Sequence, residues 1–252
     1  MRKNLNVLSL QFEAVLGDKD TNLKKVSKLL HENADFCPDI VILPELWNIG
    51  IDYENFHKEA EFVPDQSTML LSALAESYNT YIIGGSIIEK THDGKFYNTC
   101  LVFDRRGAVI AKYRKNHVFS HCGSQEGKYI ENGTETCVFD IEGVKFGVAI
   151  CYDIRFPEIF RKMLKEGAEV FAVPAAFPQE RILQWNILNQ ARALENLCVL
   201  ISCNQYGNSN FVSPYGQILK TSSKKEEVIK NIIQTDEILQ ARQNTPFLND
   251  IK

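Results

Sequence analysis

The sequence predicts an α/β protein in which two β-sheets pack together and carry helices outside them. Three observations predict it. The apolar residues switch repeatedly between a strand period and a helix period. The alternating units flank a middle stretch of strands joined by short hairpins, which suits two sheets better than one. No internal repeat, low-complexity tract or Pro/Gly-rich linker interrupts the 252 residues, so one domain over 1–252 is expected.

The elements follow in order. Residues 5–12 read as a first strand. The chain starts basic, but Ser9, Gln11 and Glu13 break the apolar stretch and no small-residue cleavage site follows, so it reads as a strand rather than an export signal. A helix over 21–32 places Leu23, Val26, Leu29 and Leu30 on one face, with Asp20 or Thr21 as N-cap. A strand over 40–43 precedes a helix over 67–78 that aligns Leu70, Leu71, Leu74 and Ala75. Strands over 81–88, 99–103 and 108–113 follow, the last two joined by the Asp104-Arg-Arg-Gly107 turn. Strands over 136–141 and 144–150 meet at Glu142-Gly143. A helix over 157–166 opens on Pro157, where a missing N–H costs least, and stops at Gly167. After a strand over 170–173, the longest helix, 179–196, carries Ile182, Leu183, Trp185, Ile187, Leu188, Ala191 and Leu194. Strands over 198–203 and 218–221 come next, and the polar run 222–227 reads as a solvated turn before a final strand.

Composition excludes several classes. Hydrophobic residues at 44% and charged residues at 24% rule out a disordered or collagenous chain. No apolar run approaches the roughly 18 residues of a membrane span. Lys and Arg number 28 against 32 Asp and Glu, a net charge of −4 without a basic stripe, which argues against a nucleic-acid binder. The seven cysteines are odd in number and contain no Cys-x-x-Cys pair, a pattern of reduced thiols in a cytoplasmic protein.

Three segments stand out because a polar residue ends an apolar strand. In Val41-Ile-Leu-Pro-Glu45-Leu-Trp47 the strand runs into a carboxylate. A lone glutamate there is ordinarily a surface residue, but α/β proteins bind ligands at the carboxyl ends of strands. Trp47 is expected to keep water from that carboxylate and to contact substrate. In Ala111-Lys-Tyr-Arg-Lys115-Asn-His117 an ammonium ends a charged strand. In Gly147-Val-Ala-Ile-Cys151-Tyr-Asp-Ile-Arg155-Phe-Pro157-Glu158 a strand stops at a cysteine and a helix starts six residues later. Such an elbow exposes the side chain at the sheet edge and aims backbone N–H groups at an incoming anion. Glu45, Lys115 and Cys151 together are a base, a cation for an oxyanion and a nucleophile, the parts of covalent hydrolysis. The rival reading is a metal site at His117, His121 and Cys122, which lacks a matching second ligand pair.

With these pieces in order, the chain closely resembles the nitrilase superfamily of carbon–nitrogen hydrolases. The resemblance rests on LPELW around Glu45, YRKNHVF around Lys115 and ICYDIRFPE around Cys151. It continues through Ala191–Asn196, Ser202-Cys-Asn204 and Pro214-Tyr-Gly216. Its nearest branch is the omega-amidase-like one, whose members cleave terminal amides of short 2-oxo acids. The resemblance implies a four-layer α-β-β-α sandwich, a homodimer or higher homo-oligomer contacting through the helix after Cys151 and the 179–196 helix, and no metal or cofactor. It also implies hydrolysis of a small amide through a thioester on Cys151, with ammonia released. Glu45 is then the base, and Lys115 and the Tyr152 N–H hold the oxyanion. Family members carry a second glutamate before the cysteine, followed by an aromatic residue and a glycine. Glu126, followed by Tyr129 and Gly133, fits that spacing, and Glu131 competes with it.

Two departures bear on substrate: the loop after Asn204 is short, and Phe177 stands where omega-amidase-like relatives usually have Trp. Arg181 and Gln184 are the expected pocket residues for a substrate carboxylate. Arg155 is expected to pair with Glu158 instead. An N-carbamoyl substrate is the alternative, and a non-catalytic interaction subunit that kept the fold is a second one.

Overall fold

The computed structural model describes residues 4–251. In chain order the strands are β1 (Leu5–Gln11), β2 (Ile40–Ile42), β3 (Tyr81–Ile83), β4 (Ile87–Lys90), β5 (Phe96–Phe103) and β6 (Val109–Arg114). They continue with β7 (Val138–Ile141), β8 (Val144–Val148), β9 (Val170–Ala175), β10 (Val199–Asn204), β11 (Asn210–Val212), β12 (Ile218–Thr221) and β13 (Glu227–Ile233). The helices are α1 (Lys19–Glu32), α2 (Phe56–Glu59), α3 (Gln66–Ser77), α4 (Pro157–Lys165), α5 (Ile182–Leu194) and α6 (Thr235–Asn244).

The first sheet runs β13-β1-β2-β3-β5-β4, with β6 paired to β5, and the second runs β12-β11-β10-β9-β8-β7. The period of two in the strands divides the core into layers. Leu5, Val7, Ile40, Ile42, Ile83, Cys100 and Val102 point inward and join Phe146, Val148, Val170 and Ile201 of the second sheet in one buried cluster. Their sequence neighbours Leu8, Val41, Ile82, Leu101 and Phe103 point the other way, onto Leu23, Val26 and Leu30 of α1 and Leu71 of α3. On the far face of the second sheet, α4 and α5 bury Phe160, Met163 and Trp185. The order is therefore helix, sheet, sheet, helix, the sandwich that the resemblance implies. Among the described residues no helix is long and apolar enough to cross a membrane.

The differences from the sequence expectation have local causes. The N-cap of α1 is Asp18, not Asp20 or Thr21, and its carboxylate accepts the Thr21 N–H at 3.0 Å. Residues 179–181 form a single 3₁₀ turn before α5 begins at Ile182. The stretch 81–88 is two strands, because Gly84, Gly85 and Ser86 lie beneath the Pro44–Leu46 turn. Gly85 has φ of +59°, and a Cβ there would stand 2.1 Å from the Pro44 carbonyl oxygen. The Ser86 hydroxyl accepts the Leu46 N–H at 3.0 Å. The break in the strand thus makes room for the turn that carries Glu45. The short β11 and the terminal α6 have no counterpart in the sequence reading.

The edge of the first sheet that carries Lys115 is fastened by a buried carboxylate. Glu89 of β4 accepts from Thr99 on β5 at 2.8 Å, and from Lys112 at 3.1 Å and Arg114 at 2.8 and 2.9 Å on β6. Burial works to raise its pKa, but the Arg114, Thr99 and Lys112 hydrogen bonds outweigh it and bring the value down to about 2. A depressed carboxylate pKa gives stability that is present above the unfolded value and is lost as pH falls towards the folded one. Glu89→Gln should therefore lose about 1–3 kcal/mol at pH 7. In denaturant titrations, the gap to the wild type should close as pH falls from about 5 towards 2. A gap independent of pH would contradict this role.

Candidate active site

The carboxyl ends of β2, β8 and β9 meet where the two sheets face each other, as expected of ligand sites in α/β sheets. Three residues after β2, the Glu45 N–H donates to the Ala175 carbonyl at the end of β9 at 3.4 Å. The Gln205 amide, just past β10, donates to the Glu45 carbonyl at 2.6 Å. Glu45 is thereby held by both sheets.

Four side chains converge there. The Lys115 ammonium, 2% exposed, donates to Glu45 Oε1 at 2.8 Å and to Glu126 Oε1 and Oε2 at 3.0 Å each. Glu45 Oε2 accepts the Ala176 N–H at 2.9 Å, and Glu126 Oε2 accepts the Phe119 N–H at 2.8 Å. Burial opposes the charge on Lys115, but Glu126 and Glu45 outweigh it and hold its pKa well above that of an ordinary lysine. It is an ammonium throughout the working pH range. Cys151 follows β8 with φ of +45°, in the left-handed region that side chains rarely adopt, and opens a 3₁₀ turn over Cys151–Arg155. Burial pushes its thiol well up, and the adjacent Glu45 carboxylate adds to this, while Lys115 and the Ala176 N–H oppose it. The resting group is therefore a thiol, with the Glu45 carboxylate adjacent to it. Glu131, the competitor of Glu126, is exposed on the surface.

Asp153 builds the elbow. Fully buried, it accepts the Ile150 N–H at 2.9 Å and the Tyr113 hydroxyl at 2.6 Å on Oδ2. Its Oδ1 meets the His117 N–H at 2.9 Å and His117 Nδ1 at 2.7 Å. Tyr113 and His117 flank Lys115, so one carboxylate fixes the cysteine turn against the lysine strand. With Nδ1 on Asp153, the His117 ring stacks on Phe156 with centroids 3.7 Å apart. Among the described residues, no group of three or more His, Cys, Asp or Glu side chains is arranged to hold a metal ion.

A cavity of about 330 Å³ opens above Cys151, Glu45, Lys115 and Glu126. Tyr152, Phe177, Arg181 and Tyr206 line it, and so does Arg155. Three expectations are corrected. Trp47 does not line the cavity; it is fully buried in the outer layer of the first sheet, its indole N–H bonded to the Gly84 carbonyl at 2.9 Å. Arg155 forms no ion pair with Glu158 among the described residues. It donates instead to Gln184 at 2.8 Å, and its guanidinium lies 5.3 Å from the Phe177 ring centre. Gln184 is outside the cavity lining and acts as the anchor of Arg155. Arg181 lies over Phe119 at 5.3 Å. Neither arginine has an acidic partner among the described residues. In the short loop after Asn204, Gln205 holds Glu45 and Tyr206 faces the cavity. Asn98 and Asp153 are absent from the sequence reading; their one signal is a polar residue inside an otherwise apolar, buried segment.

A thiol, two carboxylates and an ammonium thus meet around one small cavity. Residues 7–243 match the family model for carbon–nitrogen hydrolases, and the chain belongs to that family. It is 32% identical to the 2-oxoglutaramate amidase of Bacillus subtilis over 96% of each chain. It is 35% identical to omega-amidase NIT2-B of Xenopus laevis, over 95% of this chain and 92% of that one. Among solved structures it superposes on Saccharomyces cerevisiae Nit3, a member of branch 10 of the nitrilase superfamily. That match has a TM-score of 0.88 and 30% identity, over 97% of this chain and 95% of the other. The chain is an enzyme of the amidohydrolase type.

Asp153→Asn keeps the shape of the elbow but cannot accept from all its donors. It should lose about 2–4 kcal/mol of stability in thermal unfolding and most of the turnover. An unchanged melting temperature would show that Asp153 does not hold the elbow.

Proposed function

We propose that the protein hydrolyses the amide of a small 2-oxo dicarboxylic acid, as an omega-amidase. The observation that carries this reading is the pair of guanidiniums, Arg155 and Arg181, facing the cavity above Cys151 without an acidic partner among the described residues. A carboxylate at the far end of a short amide would complete them, since Arg binds carboxylates through paired N–H donors. The names and near full-length similarity of the two amidases support it.

In the first half-reaction, Glu45 takes the proton from Cys151 Sγ as the sulfur attacks the amide carbon. Lys115 Nζ and the Tyr152 N–H hold the oxyanion, a contribution worth about 3–4 kcal/mol per donor in comparable sites. The C–N bond breaks, Glu45 returns the proton to the nitrogen, and ammonia leaves a thioester on Cys151. In the second half, Glu45, helped by Glu126, takes a proton from water, and hydroxide attacks the thioester carbon. The C–S bond breaks, the thiol regains its proton and the acid departs.

The comparison that tests the substrate class is kcat/KM for a 2-oxo acid amide against its analogue lacking the carboxylate. A charged hydrogen bond is worth about 1.5–3 kcal/mol, so the acid should be favoured tenfold or more, and Arg155→Met should remove most of that preference. Equal values for the two amides would reject the omega-amidase reading.

The same reading includes a homodimer. The outer face of α5 exposes Leu183 at 71% and Ile187 at 55%, although Trp185 beneath them is fully buried. Leu194 and Tyr215 extend this apolar face, whereas α4 has no exposed large apolar side chain. Light scattering at micromolar concentration should give twice the chain mass, and Leu183→Glu with Ile187→Glu should halve it. A monomeric wild type would reject the dimer.

A further inference from the structure

We propose that Asn98 is a positioning residue for the catalytic carboxylates, a neutral donor that keeps Glu45 and Glu126 charged around Lys115. The proposal rests on the reading of Glu45 as the base. Asn98 lies on β5, one residue beyond the Thr99–Arg114 pair of the β5–β6 ladder, and its carbonyl accepts the Lys115 N–H at 2.8 Å. Facing residues of paired strands put their side chains on the same side, so the amide and the ammonium reach the same place. The Asn98 amide nitrogen donates to Glu45 Oε1 at 2.9 Å and to Glu126 Oε1 at 3.2 Å. Both hydrogens of one NH₂ are therefore spent on the two carboxylates.

The other end of the amide shows what this arrangement sacrifices. Asn98 is fully buried, and its Oδ1 has no hydrogen-bond partner. Turning the amide over would aim that oxygen at two carboxylates, so the carboxylates dictate its orientation. Two anions face one cation here, and Lys115 alone leaves one negative charge uncovered. A neutral donor stabilises that charge without cancelling it. A second ammonium would neutralise the base, and a carboxylate would add a third anion. Lys115, the thiols of Cys151 and Cys122, the phenols of Tyr53, Tyr152 and Tyr206 and the guanidiniums of Arg155 and Arg181 also line the cavity. Among the described residues Glu45 and Glu126 are its only lining carboxyls.

The test is kcat/KM for an amide substrate against pH in the wild type, Asn98→Ala and Asn98→Ser. Loss of a donor to the charged form lets the pair take up a proton more readily. The acidic limb should move to higher pH by about one unit in the alanine variant, and less in the serine variant, which retains a hydroxyl donor. Site-resolved alkylation of Cys151 by iodoacetamide should show the same displacement. That readout needs no substrate and so separates failure of this proposal from failure of the amidase reading. A loss of the same factor at every pH, with both limbs in place, would overturn the proposal. So would unfolding of both variants by circular dichroism, which would make Asn98 a structural residue only.

Discussion

One ammonium buried between two carboxylates organises this molecule. Lys115 donates three hydrogen bonds to Glu45 and Glu126 where water scarcely reaches. Taking charges out of water is costly, and removing one member of such a group typically costs about 3–5 kcal/mol. Further donors compensate the carboxylates: Ala176 and Phe119 supply backbone N–H groups and Asn98 supplies its amide. Those donors come from both sheets, so the electrostatics of the site and the packing of the sandwich depend on each other.

The thiol fits this environment chemically. Burial makes a stored thiolate unfavourable, and the Glu45 carboxylate adds to that against Lys115. In the proposed reaction the thiolate is generated at the moment of attack, by the carboxylate beside the thiol. The left-handed turn at Cys151 and the tether through Asp153 hold the sulfur beside that carboxylate. The guanidiniums of Arg155 and Arg181, without an acidic partner among the described residues, line the same cavity.

Much of this was legible in the sequence for a physical reason. A buried strand announces itself by apolar residues, and a polar residue at its end has few reasons to be there; Glu45, Lys115 and Cys151 were found that way. The layered fold was legible because Leu5, Val7, Leu8 and Leu10 alternate faces. Partners that depend on three-dimensional approach were not legible. The Arg155–Glu158 expectation followed from nearness along the chain, yet the folded turn carries Arg155 to Gln184 on another helix. Trp47 was read as a wall of the site because it follows Glu45 by two residues, but the left-handed backbone at Leu46 sends the chain on into the outer core layer. Asn98 and Asp153 gave only the faint signal of polarity inside an apolar run, and α6 lacks a strong apolar face of its own.

The central claim is that this charge cluster serves a covalent intermediate on Cys151. Mass spectrometry of protein quenched during turnover of a slow amide tests it most directly. The account predicts an acyl adduct on Cys151, accumulating further in Glu126→Gln and absent in Cys151→Ala. An adduct on Cys122, which also lines the cavity, or full turnover by Cys151→Ala would contradict it.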